Sequence, residues 1–170
     1  MLVDGFNHVA ILTGDTERFV RFYEETFGAE VIASQSMGDE GTLTLVRVGE
    51  QAEINLFEVV GNSEAQRQTP MFGRGRIDHL ALQAASLEAF EEIRHRLMAR
   101  GASDDFVTDF GPVLSLFFRD PDGLEGEVCV VNPDAVPGVF HPPGTPAARY
   151  CATPAPEPPQ PDQAGTASGR

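Results

Sequence analysis

Apolar residues recur every three or four positions in two separate stretches of the chain, and this spacing predicts two amphipathic helices. The apolar positions are Phe19, Phe22, Tyr23 and Phe27 in the first stretch and Leu87, Phe90, Ile93 and Leu97 in the second. Asp15 or Thr16 can cap the start of the first helix, and Ser86 can cap the second. Gly28 and Gly101 then close the two helices, because glycine readily adopts the left-handed conformation found at helix ends.

Short apolar runs around each helix predict strands. One run precedes each helix and carries a histidine at its third position, His8 in the first run and His79 in the second. The runs after the helices cover residues 30–34, 42–48 and 53–59 in the first half and 102–107, 113–119 and 125–131 in the second. The order βαβββ therefore occurs twice, with the histidines 71 positions apart. This repeat predicts a duplicated module and an α+β fold with mixed sheets.

The repeat and the prolines divide the chain into three parts. The two modules cover about residues 5–60 and 77–132, so a single folded domain is expected over residues 1–132. Residues 133–150 keep a few apolar side chains and are predicted to pack on this domain as an extension. Residues 151–170 are rich in proline and poor in apolar side chains, which predicts a disordered tail.

The charge of the chain excludes several classes of partner. Its formal net charge is −14, and such an acidic surface disfavours nucleic acid and anionic membranes. All twelve basic residues are arginine, so chemistry that needs a lysine is excluded. No run is long enough to span a bilayer, no leader is recognisable, and the two cysteines, Cys129 and Cys151, make no disulfide framework. A cytoplasmic location is expected.

Three residues with metal-binding side chains stand at related positions in the two modules. His8 and His79 occupy the same place in the repeat, and Glu127 lies on the last strand, after the turn Asp120-Pro121-Asp122-Gly123. This set of features resembles the vicinal oxygen chelate superfamily, which includes glyoxalase I, extradiol dioxygenases, fosfomycin-resistance enzymes and bleomycin-binding proteins. The resemblance implies that the two modules form a cupped, open, eight-stranded mixed sheet.

The resemblance also implies the ligands of a divalent metal ion. These are His8, His79 and Glu127, with Glu127 near the reacting atoms as well. The fourth position of the family falls on Asn55, where related enzymes often have a glutamate or glutamine. Glu53 shares the face of Asn55 by strand parity and remains an alternative.

Two imidazoles and one carboxylate suggest the kind of reaction. This set is typical of non-haem iron sites and also suits manganese, so Fe²⁺ or Mn²⁺ is favoured, while Zn²⁺ or Ni²⁺ remains an alternative. The expected substrate is a small molecule with adjacent oxygens, and a dioxygenase is one interpretation. Alternatives are a lyase or isomerase of the glyoxalase type, thiol transfer to an epoxide, and a metal-free protein that binds small molecules.

The segment between the two modules offers further polar residues. The segment 61–76 joins the modules and carries Arg74, Arg76 and Phe72, which could contact an anionic substrate, although a solvated linker is equally plausible. Arg47 and Arg119 are alternatives for the same role. The remaining candidates have structural interpretations: Asp120 and Asp122 form a turn, Cys129 is a small packed residue, and His95 and His141 lie at the surface.

The resemblance also bears on the assembly. Related proteins with one pair of modules are often homodimers, so a homodimer is one expected assembly.

Overall fold

The two predicted helices are present, with the caps that the sequence indicates. The computed structural model describes residues 2, 6–70 and 72–140, so His141, Cys151 and the tail 151–170 lie outside the described residues. Helix α1 (Thr16–Phe27) begins where the side chain of Asp15 accepts a hydrogen bond from the amide of Arg18, at 2.9 Å. Gly28 ends this helix with φ +69°, in the left-handed region that favours glycine.

Helix α2 (Leu87–Ala99) begins in the same way as α1. The hydroxyl of Ser86 accepts a hydrogen bond from the amide of Ala89 at 3.1 Å, and Gly101 follows the helix with φ +63°. None of the helices in the described part of the chain is long and apolar enough to cross a membrane.

Eight strands form two four-stranded mixed sheets, one in each module. The first module contains β1 (His8–Leu12), β2 (Glu30–Ser36), β3 (Gly41–Val48) and β4 (Ala52–Val59), in the order β1-β4-β3-β2. The second contains β5 (Leu80–Gln83), β6 (Val107–Asp109), β7 (Val113–Arg119) and β8 (Glu125–Val131), in the order β5-β8-β7-β6. In each sheet the strand before the helix runs parallel to the last strand of its module, and the other pairs are antiparallel. The predicted α+β fold with a duplicated βαβββ module is confirmed.

The strand predicted at residues 102–107 was wrong over most of its length. Before β6, this segment is bonded to β7 at separate points: Arg119 donates its amide to the carbonyl of Ala102, and the Ser103 hydroxyl donates to the carbonyl of Phe117. Asp105 then has φ +66°, which interrupts any strand. This turn brings the Asp105 carboxylate to 2.6 Å from the guanidinium of Arg94 on α2. The edge strand β6 of this sheet therefore begins only at Val107.

One hydrophobic core joins the helices to the inner faces of both sheets. Its largest fully buried side chains include Phe19, Tyr23, Phe90, Leu56, Leu97, Leu114 and Leu116. Phe118 of β7 reaches across the module boundary, with its ring 5.1 Å from that of Phe27 and 6.2 Å from that of Phe22. Gly126 makes room for this ring, since a Cβ at that position would lie 2.5 Å from Phe118 Cζ. The two modules are therefore packed against each other through their helix-side faces.

Asp122 fastens the same boundary with polar contacts. Its carboxylate accepts hydrogen bonds from the Thr13 hydroxyl at 2.6 Å and the Gly14 amide at 3.2 Å, and it pairs with Arg18 at 2.6 Å. Only 2% of its side chain is exposed. The sequence predicted a turn residue, and Asp120 fills that role by accepting from the amides of the turn. Asp122 additionally binds the second module to the first.

The chain after β8 returns to the turn between β6 and β7. The side-chain amide of Asn132 donates to the carbonyl of Gly111 at 2.8 Å, and the Val139 carbonyl lies only 2.4 Å from where a Cβ at Gly111 would be. Val139 therefore lies against this turn, although residues 133–140 are exposed. The opposite faces of the two sheets, away from the helices, carry the candidate site residues.

Candidate metal site

Glu127 and His79 lie side by side on the outer face of the second sheet. Ala81 stands opposite Glu127 in the parallel pairing of β5 with β8, so His79, two positions earlier, has its side chain on the same face. Nε2 of His79 is 3.1 Å from Oε2 of Glu127. The predicted pair of ligands from the second module is thus in direct contact. His79 lies just before the first residue of β5, whereas the sequence predicted it inside the strand.

The other ring nitrogen of His79 faces Asp78. Nδ1 of His79 is 2.8 Å from Oδ2 of Asp78. The hydrogen bond from His79 lowers the pKa of Asp78 below its usual value, and the Phe72 amide and the charge of Arg74 act in the same direction. An ionised carboxylate only accepts hydrogen bonds, so Nδ1 must donate its proton to Asp78. Nε2 can then face Glu127 only if it carries a second proton or if a cation lies between them.

The other neighbours of Glu127 fix its orientation. The Ser115 hydroxyl donates a hydrogen bond to Oε1, which leaves Oε2 for His79. Phe117, opposite Glu127 on β7, sets its ring edge-on against the ring of His79, with centroids 6.0 Å apart. Burial, together with the nearby charge of Glu127, raises the pKa of the Cys129 thiol to about 12. Cys129 is therefore a neutral thiol beside the site, which agrees with its interpretation as a small packed residue.

His8 lies apart from this pair. It is exposed at the start of β1, and its Nδ1 is 2.8 Å from Oδ1 of Asn7. Within residues 2, 6–70 and 72–140, no three His, Cys, Asp or Glu side chains come together in a group that could hold a metal ion. A single chain therefore brings together two of the three predicted ligands.

Asn55 occupies the position in the first module that Glu127 occupies in the second. Ala10, two residues after His8, stands opposite Asn55, just as Ala81, two residues after His79, stands opposite Glu127. Oδ1 of Asn55 is buried and has no hydrogen-bond partner. The alternative residue Glu53 corresponds in the same way to the position of Glu125 rather than to that of Glu127.

The donor atoms in the second module fit a divalent metal ion. An imidazole nitrogen and a carboxylate oxygen are both common ligands of divalent metal ions, and two ligands of one ion lie close to each other. The observed separation of Nε2 and Oε2 is 3.1 Å. Asp78 and Ser115 hold the outer atoms of the two side chains, as supporting residues commonly do around metal ligands. His79 and Glu127 thus provide two suitable donor atoms, and further ligands would be needed to complete a metal site.

The segment between the modules is anchored to the second sheet through Arg74. Its guanidinium donates to the carbonyl of Asp78 at 2.9 Å and pairs with the Glu125 carboxylate at 2.5 Å. Only 9% of this side chain is exposed. Arg76 and Phe72, the other two predicted substrate contacts, are both exposed. Of the two strand arginines, Arg47 pairs with Glu30, and Arg119 pairs with Glu125 while staying largely exposed.

A cavity of about 620 Å³ lies between the end of β7 and residues 101–104, and neither His79 nor Glu127 lines it. Phe117, Arg119 and Glu125 contribute to its wall from the sheet, and Pro70 contributes from the linking segment. By strand parity Phe117, Arg119 and Glu125 project from the face that carries Glu127. The cavity thus combines an aromatic ring and a guanidinium, and Phe117 is the lining residue that also contacts His79.

Sequence reasoning did not single out the residues that support the ligands. Asp78 and Asn7 each directly precede a histidine, and this repeated pattern could have drawn attention to them. Ser115 offered no such signal, because only the pairing of β7 with β8 brings it to Glu127. His95, expected at the surface, has its Nε2 buried without a hydrogen-bond partner. Its neighbour Arg94 is 7% exposed and pairs with Glu91 and Asp105.

Comparisons with known proteins agree with this architecture. A domain from Frankia sp. EAN1pec, described as glyoxylase/bleomycin resistance protein/dioxygenase, superposes with TM-score 0.63 and 23% identity over 78% of this chain and 95% of its own. The fosfomycin resistance protein FosX of Listeria monocytogenes superposes with TM-score 0.56 and 19% identity, over 77% of this chain and 96% of its own. Lactoylglutathione lyase of Agrobacterium tumefaciens superposes with TM-score 0.54 and 19% identity, over 76% of this chain and 96% of its own.

These solved structures share the fold, and a family match extends the similarity to the sequence itself. The sequence model of the Glyoxalase/Bleomycin resistance protein/Dioxygenase superfamily matches residues 5–128, which is most of the chain. This is the family that the paired histidines and Glu127 indicated in the sequence. The chain belongs to the Glyoxalase/Bleomycin resistance protein/Dioxygenase superfamily.

Proposed function

We propose that this protein is a divalent-metal-dependent enzyme acting on a small molecule with two adjacent oxygens, and that it works as a homodimer. The contact between Nε2 of His79 and Oε2 of Glu127 carries this proposal. With Nδ1 committed to Asp78, these two atoms can be neighbours only through a proton or a cation. His79 and Glu127 would hold the metal ion together with His8, with Asn55 near the fourth position.

The third ligand is proposed to come from a second copy of the chain. β1 and β5 are both edge strands, each paired on one side only within the described residues. Val9 and Leu12 on β1 and Ile77 just before β5 are exposed apolar side chains along these edges. An open, apolar strand edge is prone to pair with another strand. Setting β1 of one copy beside β5 of another would join the two sheets and bring His8 to His79 and Glu127.

Each side chain has a distinct proposed task. The bound ion would supply a positive charge that polarises the substrate oxygens. Glu127, oriented by Ser115, would balance that charge and could accept a proton at Oε2 once substrate is bound. Phe117 would exclude water from one side of His79, and Arg119 would attract an anionic substrate group at the cavity mouth.

The ligand set favours particular metals and reactions. Two imidazoles and one carboxylate, with a neutral amide at position 55, suit iron or manganese, and FosX of Listeria monocytogenes, which shares the fold, has been crystallised with Mn(II) and sulfate. A dioxygenase reaction on a catechol-like substrate is therefore the first to test, by oxygen uptake. Turnover of a hemithioacetal would instead indicate the lyase or isomerase chemistry. We further propose a cytoplasmic location.

Metal content tests the proposal directly. We expect anaerobically purified protein to contain close to one equivalent of iron or manganese by elemental mass spectrometry, and the His79→Ala variant to contain almost none. Glu92→Gln removes an exposed carboxylate of α2 and is the matched control, which should keep the metal. Wild-type protein that stays metal-free after reconstitution with Fe²⁺, Mn²⁺, Zn²⁺ and Ni²⁺ would refute the proposal.

Mixing two inactive variants tests the shared site. His8→Ala and Glu127→Gln proteins would each lack every site, but after unfolding and refolding together, half of the dimers would contain one intact site. About a quarter of the wild-type sites should then bind metal, as expected for random pairing in a two-fold dimer. If each site lay within one chain, the mixture would bind no metal at all.

A metal-free binding protein is the second candidate, and one observation favours it. His79 Nε2 and Glu127 Oε2 could also be joined by a proton, as an imidazolium and a carboxylate, without any ion. The sheet face that carries this pair would then bind a small molecule without converting it. Tight binding of a test compound to protein freed of metal by a chelator, without product formation, would support this second function over the first.

A further inference from the structure

The segment that follows the helix differs between the two modules. In the first module, β2 begins at Glu30, two residues after Gly28, and pairs with β3 from its first residue. In the second module, Ser103 stands at the same distance after Gly101, but β6 begins only at Val107. The first module therefore has a full edge strand at this place, whereas the second has a segment that is bonded to its sheet only at separate points.

The cavity of about 620 Å³ lies where the second module lacks this part of the strand. Residues 101–104 line one side of it, and Phe117 and Arg119 of β7 line the other. The two sides are bonded to each other, because the Arg119 amide donates to the carbonyl of Ala102 at 2.8 Å and the Ser103 hydroxyl donates to the carbonyl of Phe117 at 2.7 Å. The cavity is thus a formed feature of the fold, and its volume is within the range of about 300–1,000 Å³ found for small-molecule sites.

The arginines at equivalent positions of β3 and β7, Arg47 and Arg119, have different surroundings. Arg47 pairs with Glu30 on the neighbouring edge strand, and 46% of its side chain is exposed. In the second module Ser103 takes the place of Glu30, and its hydroxyl is bonded to the carbonyl of Phe117. Arg119 therefore lacks the cross-strand carboxylate that Arg47 has, and 72% of its side chain is exposed.

Two guanidinium groups share one carboxylate beside the cavity. Glu125 pairs with Arg119 through Oε1 at 2.9 Å and with Arg74 through Oε2 at 2.5 Å. These three side chains together carry one net positive charge in a chain whose net charge is −14. Arg119 binds Glu125 through Nε and Nη2, so its Nη1 is available to an anionic group in the cavity.

Phe117 gives the cavity an aromatic surface, and Pro70 of the linking segment adds a second apolar ring to the lining. Flat rings pack well against aromatic side chains, either offset or edge-on. Asp104, the remaining charged residue of the lining, is exposed, and its Oδ1 accepts a hydrogen bond from the amide of Phe106. An aromatic ring beside a guanidinium is complementary to a flat ligand that carries an anionic group.

We propose that this cavity binds an aromatic carboxylate, with its ring against Phe117 and its carboxylate on Arg119. Binding requires no metal ion, because neither His79 nor Glu127 lines the cavity. The ring of Phe117 also contacts the ring of His79, which connects the cavity to the candidate metal site. As a statement about the substrate, the inference rests on the proposed function: the substrate would carry an aromatic acid group in addition to the two oxygens that bind the metal.

Three probes with one ring system test the ligand class. The compounds 2-naphthoate, 2-naphthamide and 2-naphthylmethylammonium share a naphthalene body and differ in charge. In NMR titrations of chelator-treated protein, we expect 2-naphthoate to bind with a dissociation constant of about 1 mM or below, and about fivefold more tightly than either of the other two. Equal binding of the three probes, tighter binding of the ammonium compound, or no binding of 2-naphthoate would overturn the proposal.

Substitution of Arg119 tests the contact with the carboxylate. Arg119→Gln should weaken 2-naphthoate binding about 5- to 10-fold, a modest loss for a charged hydrogen bond because the side chain is largely exposed, and should leave 2-naphthamide within about twofold. Arg47→Gln is the matched control, since it removes the same charge at the equivalent position of the first module and should leave both probes unchanged. Equal losses in the two variants would reveal a general effect of charge and would refute the site.

The ring contact and the location have their own readouts. Phe117→Leu keeps an apolar side chain but removes the ring, so it should weaken 2-naphthoate and 2-naphthamide alike, by about 2- to 10-fold. In the wild type, the amide resonances of residues 101–104 should shift on addition of 2-naphthoate, whereas those of residues 28–31, the corresponding segment of the first module, should not. Shifts confined to other parts of the chain would place the ligand elsewhere and contradict the proposal.

Failure of this inference and failure of the proposed function give different results. Protein that stays free of metal but binds 2-naphthoate through Arg119 would refute the metal-dependent function and support the cavity as a ligand site. Protein that binds metal through His79 but binds 2-naphthoate no better than 2-naphthamide would refute the inference and leave the proposed function standing.

Discussion

The two modules share one topology but present very different versions of the same site. In the second module, His79 is partly buried and touches Glu127, whose other oxygen is held by Ser115. In the first module, His8 is exposed, and the position of Glu127 is taken by Asn55, whose oxygen is buried without a partner. Duplication preserved the backbone in both modules. The second module supplies charge and supporting hydrogen bonds, and the first supplies neutral groups.

This difference indicates how a duplicated fold can build an asymmetric centre. A carboxylate in each half would give a bound divalent ion no residual charge, whereas a single carboxylate leaves it electrophilic. Under the proposed function, the second module binds the ion and the first completes its surroundings. Substitutions at equivalent positions of the two modules should therefore have unequal effects.

The largest effect is expected from removing the charge at position 127. Glu127→Gln should weaken Mn²⁺ or Zn²⁺ binding by more than about 100-fold, since losing a ligand exceeds the 10- to 100-fold cost of losing a residue that only supports one. Glu53→Gln, at the alternative position in the first module, should change the affinity by less than about threefold. Chelator competition measures both. A large loss in Glu53→Gln with little loss in Glu127→Gln would reverse the comparison between the modules.

The next effect concerns the polar contacts that join the modules. Asp122→Ala would leave the hydroxyl of Thr13 and the amide of Gly14 without their acceptor in a nearly closed site. We expect the free energy of unfolding in urea to fall by about 3 kcal/mol, within the range for breaking a buried charged network. Asp39→Ala, which changes an exposed carboxylate, should stay within about 0.5 kcal/mol of wild type. Equal effects in the two variants would show that Asp122 does not fasten the modules.

The sequence predicted the elements that local patterns determine. The bounds expected for β7 and β8 match those observed, as do the caps at Asp15 and Ser86 and the left-handed glycines at 28 and 101. Apolar periodicity and capping chemistry act within a few residues, so a single sequence contains them.

The missed features depend on side-chain contacts between different elements. The strand expected at 102–107 is replaced by a turn in which Asp105 pairs with Arg94 of α2, and no repeating hydrophobic pattern encodes that contact. The same holds for Ser115 beside Glu127 and for Asp122 beside Thr13. At the candidate site the sequence predicted His79 and Glu127, which are found together, while the separation of His8 from them depends on how the modules pack.

A smaller effect should appear as a pH dependence of stability in the turn that carries Asp122. Burial raises the pKa of Asp120 from 3.8 to about 6, and the charge of Asp122 acts in the same direction. The folded protein then binds this proton more tightly than the unfolded chain does. Its contribution to stability is complete below about pH 4 and is lost as the pH rises through about 6.

Comparison with Asp120→Asn isolates that contribution. Asparagine keeps the oxygen that accepts from the amides of Asp122 and Leu124 but cannot ionise. Between pH 4 and pH 6.5, the free energy of unfolding of wild type should fall by about 2 kcal/mol relative to the variant, measured in urea with a chelator present. Parallel pH profiles for the two proteins would contradict the raised pKa.

The smallest effect tests where the two modules should be alike. Asp15 and Ser86 cap α1 and α2 through equivalent contacts, each accepting a hydrogen bond from the amide three residues later. Replacement of either residue by alanine should reduce the free energy of unfolding by about 1 kcal/mol, and Asp15 should contribute slightly more, because its charge also interacts with the helix dipole. Neither variant should alter metal affinity, since neither cap touches a proposed ligand. A loss of metal binding in Asp15→Ala but not in Ser86→Ala would mean that the first module orders the site more strongly than its neutral side chains indicate.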